Sequence, residues 1–165
     1  MNLIPSKLFN FSNACGIREK LREENQKVVL TNGCFDVLHP GHIFSLENAK
    51  KLGDSLWVAL NSDMSVKALK GDKRPIFTEK MRAYILSALS VVDGIFIFNG
   101  SRLTDEILHF HPDIYAKSGD YTIDTLDLSE RKALQTIGAE IHLLPFIKGL
   151  STTSIIGKFL YSYLP

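Results

Sequence analysis

Apolar residues in this chain fall into short continuous runs separated by longer amphipathic stretches, the pattern of buried parallel strands alternating with helices. Five strands are predicted: Val28-Val29-Leu30, Leu56 to Leu60, Gly94 to Phe98, Asp113 to Ala116 and Glu140 to Leu144. Between them the apolar spacing changes to three and four. Ile43, Leu46 and Ala49, with Phe44 beside them, predict a helix from about Pro40 to a stop at Gly53. Met81, Ile85, Leu89 and Val92 stripe a helix capped by Thr78, and two further helices are read over Leu103 to Phe110 and Leu126 to Ile137. On a last helix, opened by Gly149 to Thr153, Ile155, Ile156, Phe159 and Leu160 are expected to face inward. The alternation defines a single open α/β sheet, all parallel because such crossovers are right-handed.

Two stretches stand outside this alternation. Residues 1–25 read as an N-terminal helical extension to a domain of residues 26–165. In the extension Ser12 or Asn13 caps a helix with Ala14, Ile17 and Leu21 on one face and a solvated charge run of Arg18, Glu19, Lys20, Arg22 and Glu23. Met64 to Thr78, with Lys67, Lys70, Lys73 and Arg74 around Gly71, reads as a mobile solvated loop.

The chemistry concentrates at the join between the first strand and its helix, Thr31-Asn32-Gly33-Cys34-Phe35-Asp36-Val37-Leu38-His39-Pro40-Gly41-His42. A loop whose N–H groups open onto a helix N-terminus is a prepared anion site, and Pro40 suits the first helical turn. His39 and His42, three residues apart, fall on one side of that turn, where a phosphate favours their protonated forms and two donors stabilise charge on a phosphoryl group. Gly41 lets a phosphate approach the backbone. Asn61 and Asp63, at the end of the second strand, either touch substrate or cap the next short helix. Ser151, Thr152 and Thr153 suit a helix cap or a terminal phosphate equally.

Composition narrows the classes. With Lys+Arg 19 against Asp+Glu 18, no global charge points to nucleic acid or an anionic membrane, so phosphate binding has to be local. Cys15 and Cys34 lack metal-site or redox spacing, and no apolar run approaches the roughly 20 residues of a membrane span. A reduced cytoplasm is the expected location. The loop after the first strand has no GxGxxG, which disfavours a redox dinucleotide fold.

The segment Gly33-Cys34-Phe35-Asp36-x-x-His39-x-Gly41-His42 resembles the HxGH signature of the cytidylyltransferase-like nucleotidyltransferases, which join a nucleoside triphosphate to a phosphorylated substrate and release pyrophosphate. The similarity runs from about Lys27 to Lys158 and is greatest to the adenylyltransferase domain of the bifunctional ADP-heptose synthases, enzymes of lipopolysaccharide precursor supply. Leu69-Lys70-Gly71-Asp72-Lys73-Arg74-Pro75 matches the family's Leu-Lys-Gly-x-x-Arg-Pro. Lys117-Ser118-Gly119-Asp120-Tyr121 is similar to the heptose enzymes' Lys-Gly-Gly-Asp-Tyr, and Phe146 stands where glycerol-phosphate cytidylyltransferases typically carry arginine. Lys80 replaces a usual acid, and Ile156 and Gly157 leave Lys158 as the nearest base after Thr153.

The resemblance implies a Rossmann-like strand order 3-2-1-4-5 with the active site above the first and fourth strands. It implies His39, His42 and Lys70 as catalytic residues. The implied nucleotide site comprises these with Thr31, Asn32, Gly33, Cys34, Phe35, Gly41, Arg82, Lys117, Gly119, Asp120, Tyr121 and the hydroxyl run Ser151, Thr152 and Thr153; Asp120 is also expected to touch substrate. The implied substrates are ATP or CTP and a small phosphorylated sugar or polyol, with Mg2+ accompanying the triphosphate and a homodimer as the usual assembly. Two alternatives stay open: a CTP-dependent transferase acting on glycerol 3-phosphate or a phosphonate, and a nucleotide-binding module without chemistry.

Overall fold

The computed structural model describes residues 4–119 and 122–163. Its elements run α1 (Phe11–Glu23), β1 (Val28–Gly33), α2 (Pro40–Lys50), β2 (Ser55–Asn61), α3 (Asp63–Lys70), α4 (Glu79–Ser87), β3 (Gly94–Phe98), α5 (Thr104–Phe110), β4 (Ile114–Ser118), α6 (Leu128–Ile137), β5 (Glu140–Leu144) and α7 (Thr152–Tyr163), with a 3-10 turn at Ile123–Thr125. The strands form one parallel sheet in the order β3-β2-β1-β4-β5. Every residue of β2 is buried, which is why Leu56 to Leu60 run apolar without alternation between the polar ends Ser55 and Asn61.

Each sheet face carries its own apolar layer. On one, Val28, Leu30, Trp57, Ala59, Phe96 and Tyr115 pack with residues of α1, α5 and α6; on the other, Val29, Val58, Leu60 and Ile95 meet Leu46 and Ala49 of α2 and Ala83 and Leu86 of α4. Gly94 makes room for the Trp57 ring, since a Cβ there would lie 2.5 Å from it.

Several local expectations are corrected. The charged face of α1 is not wholly solvated: Arg18 is fully buried, donating from Nε to the His111 carbonyl at 3.0 Å and from Nη2 to Asp113 Oδ1 at 2.9 Å. Asp113 in turn accepts from the Val28 amide at 2.7 Å, so this pair fastens α1 to the start of the sheet. The helix cap is Asn10, not Ser12 or Asn13. Residues 63–70 form a helix because Ser62 accepts from the Ser65 amide as its cap and Val66 is buried against the sheet. On α4 the buried positions are Arg82, Ala83, Leu86 and Ser87, one step out of phase with the stripe expected from Met81 and Ile85; Met81 is exposed. On α7, Phe159 and Leu160 face solvent.

Candidate active site

Strand order reverses beside β1, whose neighbours β2 and β4 lead into crossovers on opposite faces, and loops leaving the carboxyl ends there splay apart into a crevice. A cleft of about 1070 Å³ occupies that place. It is lined from β1 and its loop by Thr31, Asn32, Gly33, Cys34, Phe35, Asp36 and His39, from α2 by Gly41 and His42, and from the end of β2 by Asn61. Lys70, Lys117, Gly119, Ser151, Thr152 and Thr153 complete the set of sequence-predicted residues that converge on it. The expected contacts of Asp120 and Tyr121 lie outside the described residues.

The His39 and His42 rings stack at 3.8 Å between centroids with 25° between planes. His39 is the residue before the first turn of α2, in an extended conformation with no side-chain cap bond, and Pro40 follows it. Gly41 sits close under this ring: a Cβ would lie 3.0 Å from His39 Cε1 and 3.1 Å from its Nδ1, so any side chain there would press on it. The sequence alone assigns Gly41 to ligand approach; the structure adds that it seats a catalytic candidate's ring. Phe35, nearly buried and held at a positive φ of 46°, backs His42 with its ring 5.3 Å away.

Both Nδ1 atoms are buried with no hydrogen-bond partner among the described residues. Buried polar atoms are ordinarily satisfied, so these two nitrogens are an exception within the fold. Burial lowers the pKa of both rings; His42 falls to about 4, with His39 beside it adding to the effect and Asp36 opposing it. Without a ligand this favours the neutral imidazoles at pH 7, and the protonated forms expected from the sequence are those a bound phosphate would favour. A triphosphate bringing negative charge to the stack reverses that balance.

Asp36, a signature residue to which the sequence assigns no role, organises the loop. Its carboxylate is buried and accepts from Arg74 Nε at 2.6 Å, the Ile76 amide at 2.8 Å and the Phe77 amide at 2.9 Å. Burial pushes its pKa up, but the two amides and Arg74 outweigh this and hold it below the usual carboxylate range. Its carbonyl accepts from Thr152 Oγ1 at 2.7 Å. One residue thus joins the HxGH loop to the Lys70–Arg74 segment and to the start of α7.

Arg82 and Asp63 depart from expectation. Arg82 is 1% exposed and does not line the cleft. Its Nε donates to the Phe77 carbonyl, Nη1 to the Cys34 carbonyl at 2.6 Å and Nη2 to Asp63 Oδ1 at 2.8 Å. A guanidinium so fully engaged positions the loop from behind rather than reaching a triphosphate, and Asp63 is its counterion rather than a substrate contact. The cap of α3 is Ser62, so neither Asn61 nor Asp63 fills that role. Asn61 stays at the cleft, donating to Ser65 Oγ at 2.9 Å.

On the β4 side, Asn32 Oδ1 accepts from Lys117 Nζ at 2.6 Å and from Tyr115 Oη at 2.9 Å. Burial lowers the Lys117 pKa, with Glu130 opposing the shift. Cys34 is a protonated thiol, since burial raises its pKa more than Lys70, Arg82 and Arg74 lower it; that is not the state of a nucleophile. Ser151 Oγ accepts from the Ser154 amide, so the hydroxyl run serves the helix start as well as the cleft. Sequence reasoning missed Arg102, Asp127 and Glu130, which close the far wall. They are ordinary charged residues beside predicted helices, and no local pattern marks them.

Anion-holding groups gathered from separate loops over a strand-order reversal define a nucleotide-handling α/β transferase. The chain belongs to the cytidylyltransferase-like family, whose model matches residues 30–158, and it is a nucleotidyltransferase. It is 47% identical over 143 residues to the bifunctional protein HldE of Hyphomonas neptunium, covering 85% of this chain and 28% of that protein. To the bifunctional protein HldE of Geobacter sulfurreducens it is 39% identical over 158 residues, 96% of this chain and 32% of that one. The chain thus spans about a third or less of these relatives. Among solved structures, the lipopolysaccharide core biosynthesis protein of Thermoplasma volcanium is 31% identical with a TM-score of 0.61, covering 74% of this chain and 98% of that one.

Proposed function

We propose that the chain transfers the adenylyl group of ATP to a sugar 1-phosphate, with D-glycero-β-D-manno-heptose 1-phosphate as acceptor, giving ADP-heptose and pyrophosphate. The stacked His39–His42 pair at the mouth of β1, lining a cleft that Lys70, Lys117 and the Ser151–Thr153 hydroxyls also line, is the observation that carries this reading. The likeness to HldE proteins supports the choice of nucleotide and sugar, as does Phe146 at the cleft.

In the proposed reaction an acceptor phosphate oxygen attacks the α-phosphorus of ATP in line, the bond from that phosphorus to the bridging oxygen breaks, and pyrophosphate leaves. The attacking oxygen is already anionic, so no strong base is needed and catalysis reduces to positioning and charge stabilisation. His39 and His42 hold the α-phosphate, Lys70 follows the departing charge, and the Ser151–Thr153 turn receives the terminal phosphates. Mg2+ would accompany the phosphates of the nucleotide, where it would neutralise part of their charge.

Pyrophosphate release measured with ATP and with CTP, against heptose 1-phosphate, other sugar 1-phosphates and glycerol 3-phosphate, tests the reading. ATP with the heptose phosphate is expected to be fastest. CTP with glycerol 3-phosphate as the preferred pair would replace this assignment, and nucleotide binding without turnover on any acceptor would remove the transfer reaction.

A further inference from the structure

Two parts of the cleft lining differ in chemistry. From the loop after β5 come Phe146, Ile147 and Leu150, apolar surfaces suited to a flat base. From the loop after β3 come Ser101 and Arg102, which meet Asp127 at the start of α6, with Thr125 and Glu130 beside it in sequence. No aromatic side chain is among the residues of this second part. It is a wall of hydroxyls, a guanidinium and carboxylates, the donor and acceptor set that reads a polyhydroxylated molecule.

The wall is built rather than incidental. Glu130, 5% exposed, accepts from the Leu103 amide at 2.9 Å, and Asp127 accepts from the Ser129 amide at 2.9 Å as the cap of α6. Thr104 and Ser129 hydroxyls bond at 2.8 Å. Arg102 forms an ion pair through Nε with Asp127 Oδ2 at 2.7 Å, while its two terminal nitrogens make no hydrogen bond to any described residue. The ion pair turns the guanidinium toward Asp127 and leaves two planar donors for a ligand, on a side chain that is still 55% exposed.

We propose that Arg102, fixed by Asp127, selects the acceptor by binding the hydroxyl-bearing body of a phosphorylated sugar, whose phosphate points back toward Lys117 and the histidine pair. The assignment rests on the nucleotidyl-transfer reading above. It makes Arg102 a specificity determinant that separates sugar phosphates from short polyol phosphates, which carry fewer hydroxyls for it to meet.

Equilibrium binding to the complex with α,β-methylene-ATP tests it, using a hexose 1-phosphate and glycerol 3-phosphate as probes and Arg102→Ala and Arg102→Gln as variants. Removing donors that carry a charge is expected to weaken the sugar phosphate by about tenfold or more. Affinity for glycerol 3-phosphate and for the ATP analogue should stay within about twofold. Equal losses for both acceptors, no loss for either, or wild-type protein that binds no sugar phosphate would each overturn the proposal. Failure of the transfer reaction is read separately, as absent pyrophosphate release from wild-type protein whose sugar phosphate binding is intact.

Discussion

Gly41 has no side chain because the His39 ring already fills the space above it. Gly41→Ala places a Cβ 3.0 Å from that ring, which then has to shift relative to His42. Misplacement on that scale is expected to lower kcat by about 10- to 100-fold while the thermal midpoint barely moves. Unchanged turnover would show that the stack is dispensable. His39→Ala and His42→Ala should likewise reduce kcat by more than they weaken ATP binding, because the imidazoles are assigned to charge that grows in the transition state.

The depressed pKa of His42 sets two further expectations at the same scale. Its folded value of about 4 lies below the ordinary 6.5, so its contribution to stability is present above about pH 6.5 and is lost as pH falls toward 4. Denaturant unfolding of wild type should weaken over that window, and His42→Gln should flatten the slope. Anion binding works the other way. A triphosphate raises the imidazole pKa, so ATP binding takes up protons and tightens as the pH is lowered. Calorimetry in buffers of different ionisation enthalpy detects the uptake directly; identical heats in every buffer would leave the histidines neutral in the complex.

At the scale of elements, Asp36 is the strongest local determinant of the site. Its buried carboxylate collects Arg74, the Ile76 amide and the Phe77 amide, and Asp36→Ala strands all three donors. Removing one partner of such a buried set is expected to cost about 3 kcal/mol or more, read as a lower urea midpoint, with ATP affinity falling as the 70–77 segment loosens. A variant as stable as wild type would show that the segment is held by other contacts. Asp36 also shows where sequence reading succeeds and stops. The motif around it was visible because Gly33, Pro40, Gly41 and the histidines have local signatures, and the strands were visible because parallel strands buried on both faces are continuously apolar. Of the stripe expected on α4 and just beyond it, Val92 is buried and Leu89 packs against the core, whereas Met81 is exposed because Arg82, Ala83, Leu86 and Ser87 take the buried face. Arg82 looks like a phosphate ligand in sequence; only its three partners in space reveal that it supports the loop. The Arg102–Asp127–Glu130 wall was illegible for a related reason, since it joins segments that no spacing rule connects.

At the scale of the whole molecule, the cleft belongs to no single element. The loop after β1, the Lys70–Arg74 segment, the end of β4 and the turn before α7 each contribute, and Thr152 bonding to the Asp36 carbonyl is the direct tie between the first and last of these. A nucleotide that fills the cleft therefore links parts of the chain more than a hundred residues apart, as that tie already does. At about one hundred times its dissociation constant such a ligand stabilises the native state by roughly 2.7 kcal/mol. In a chain of this length that corresponds to a rise in Tm of about 5–10 °C. Hydrogen exchange adds the spatial detail: with α,β-methylene-ATP and Mg2+ present, amides of residues 33–42 and of residues 149–154 should slow together, while α1 and the distal half of α7 should not change. Protection confined to the first group would mean that the hydroxyl turn does not hold the terminal phosphates, and the phosphate end of the site would then have to be reassigned to Lys70 and Arg74 alone.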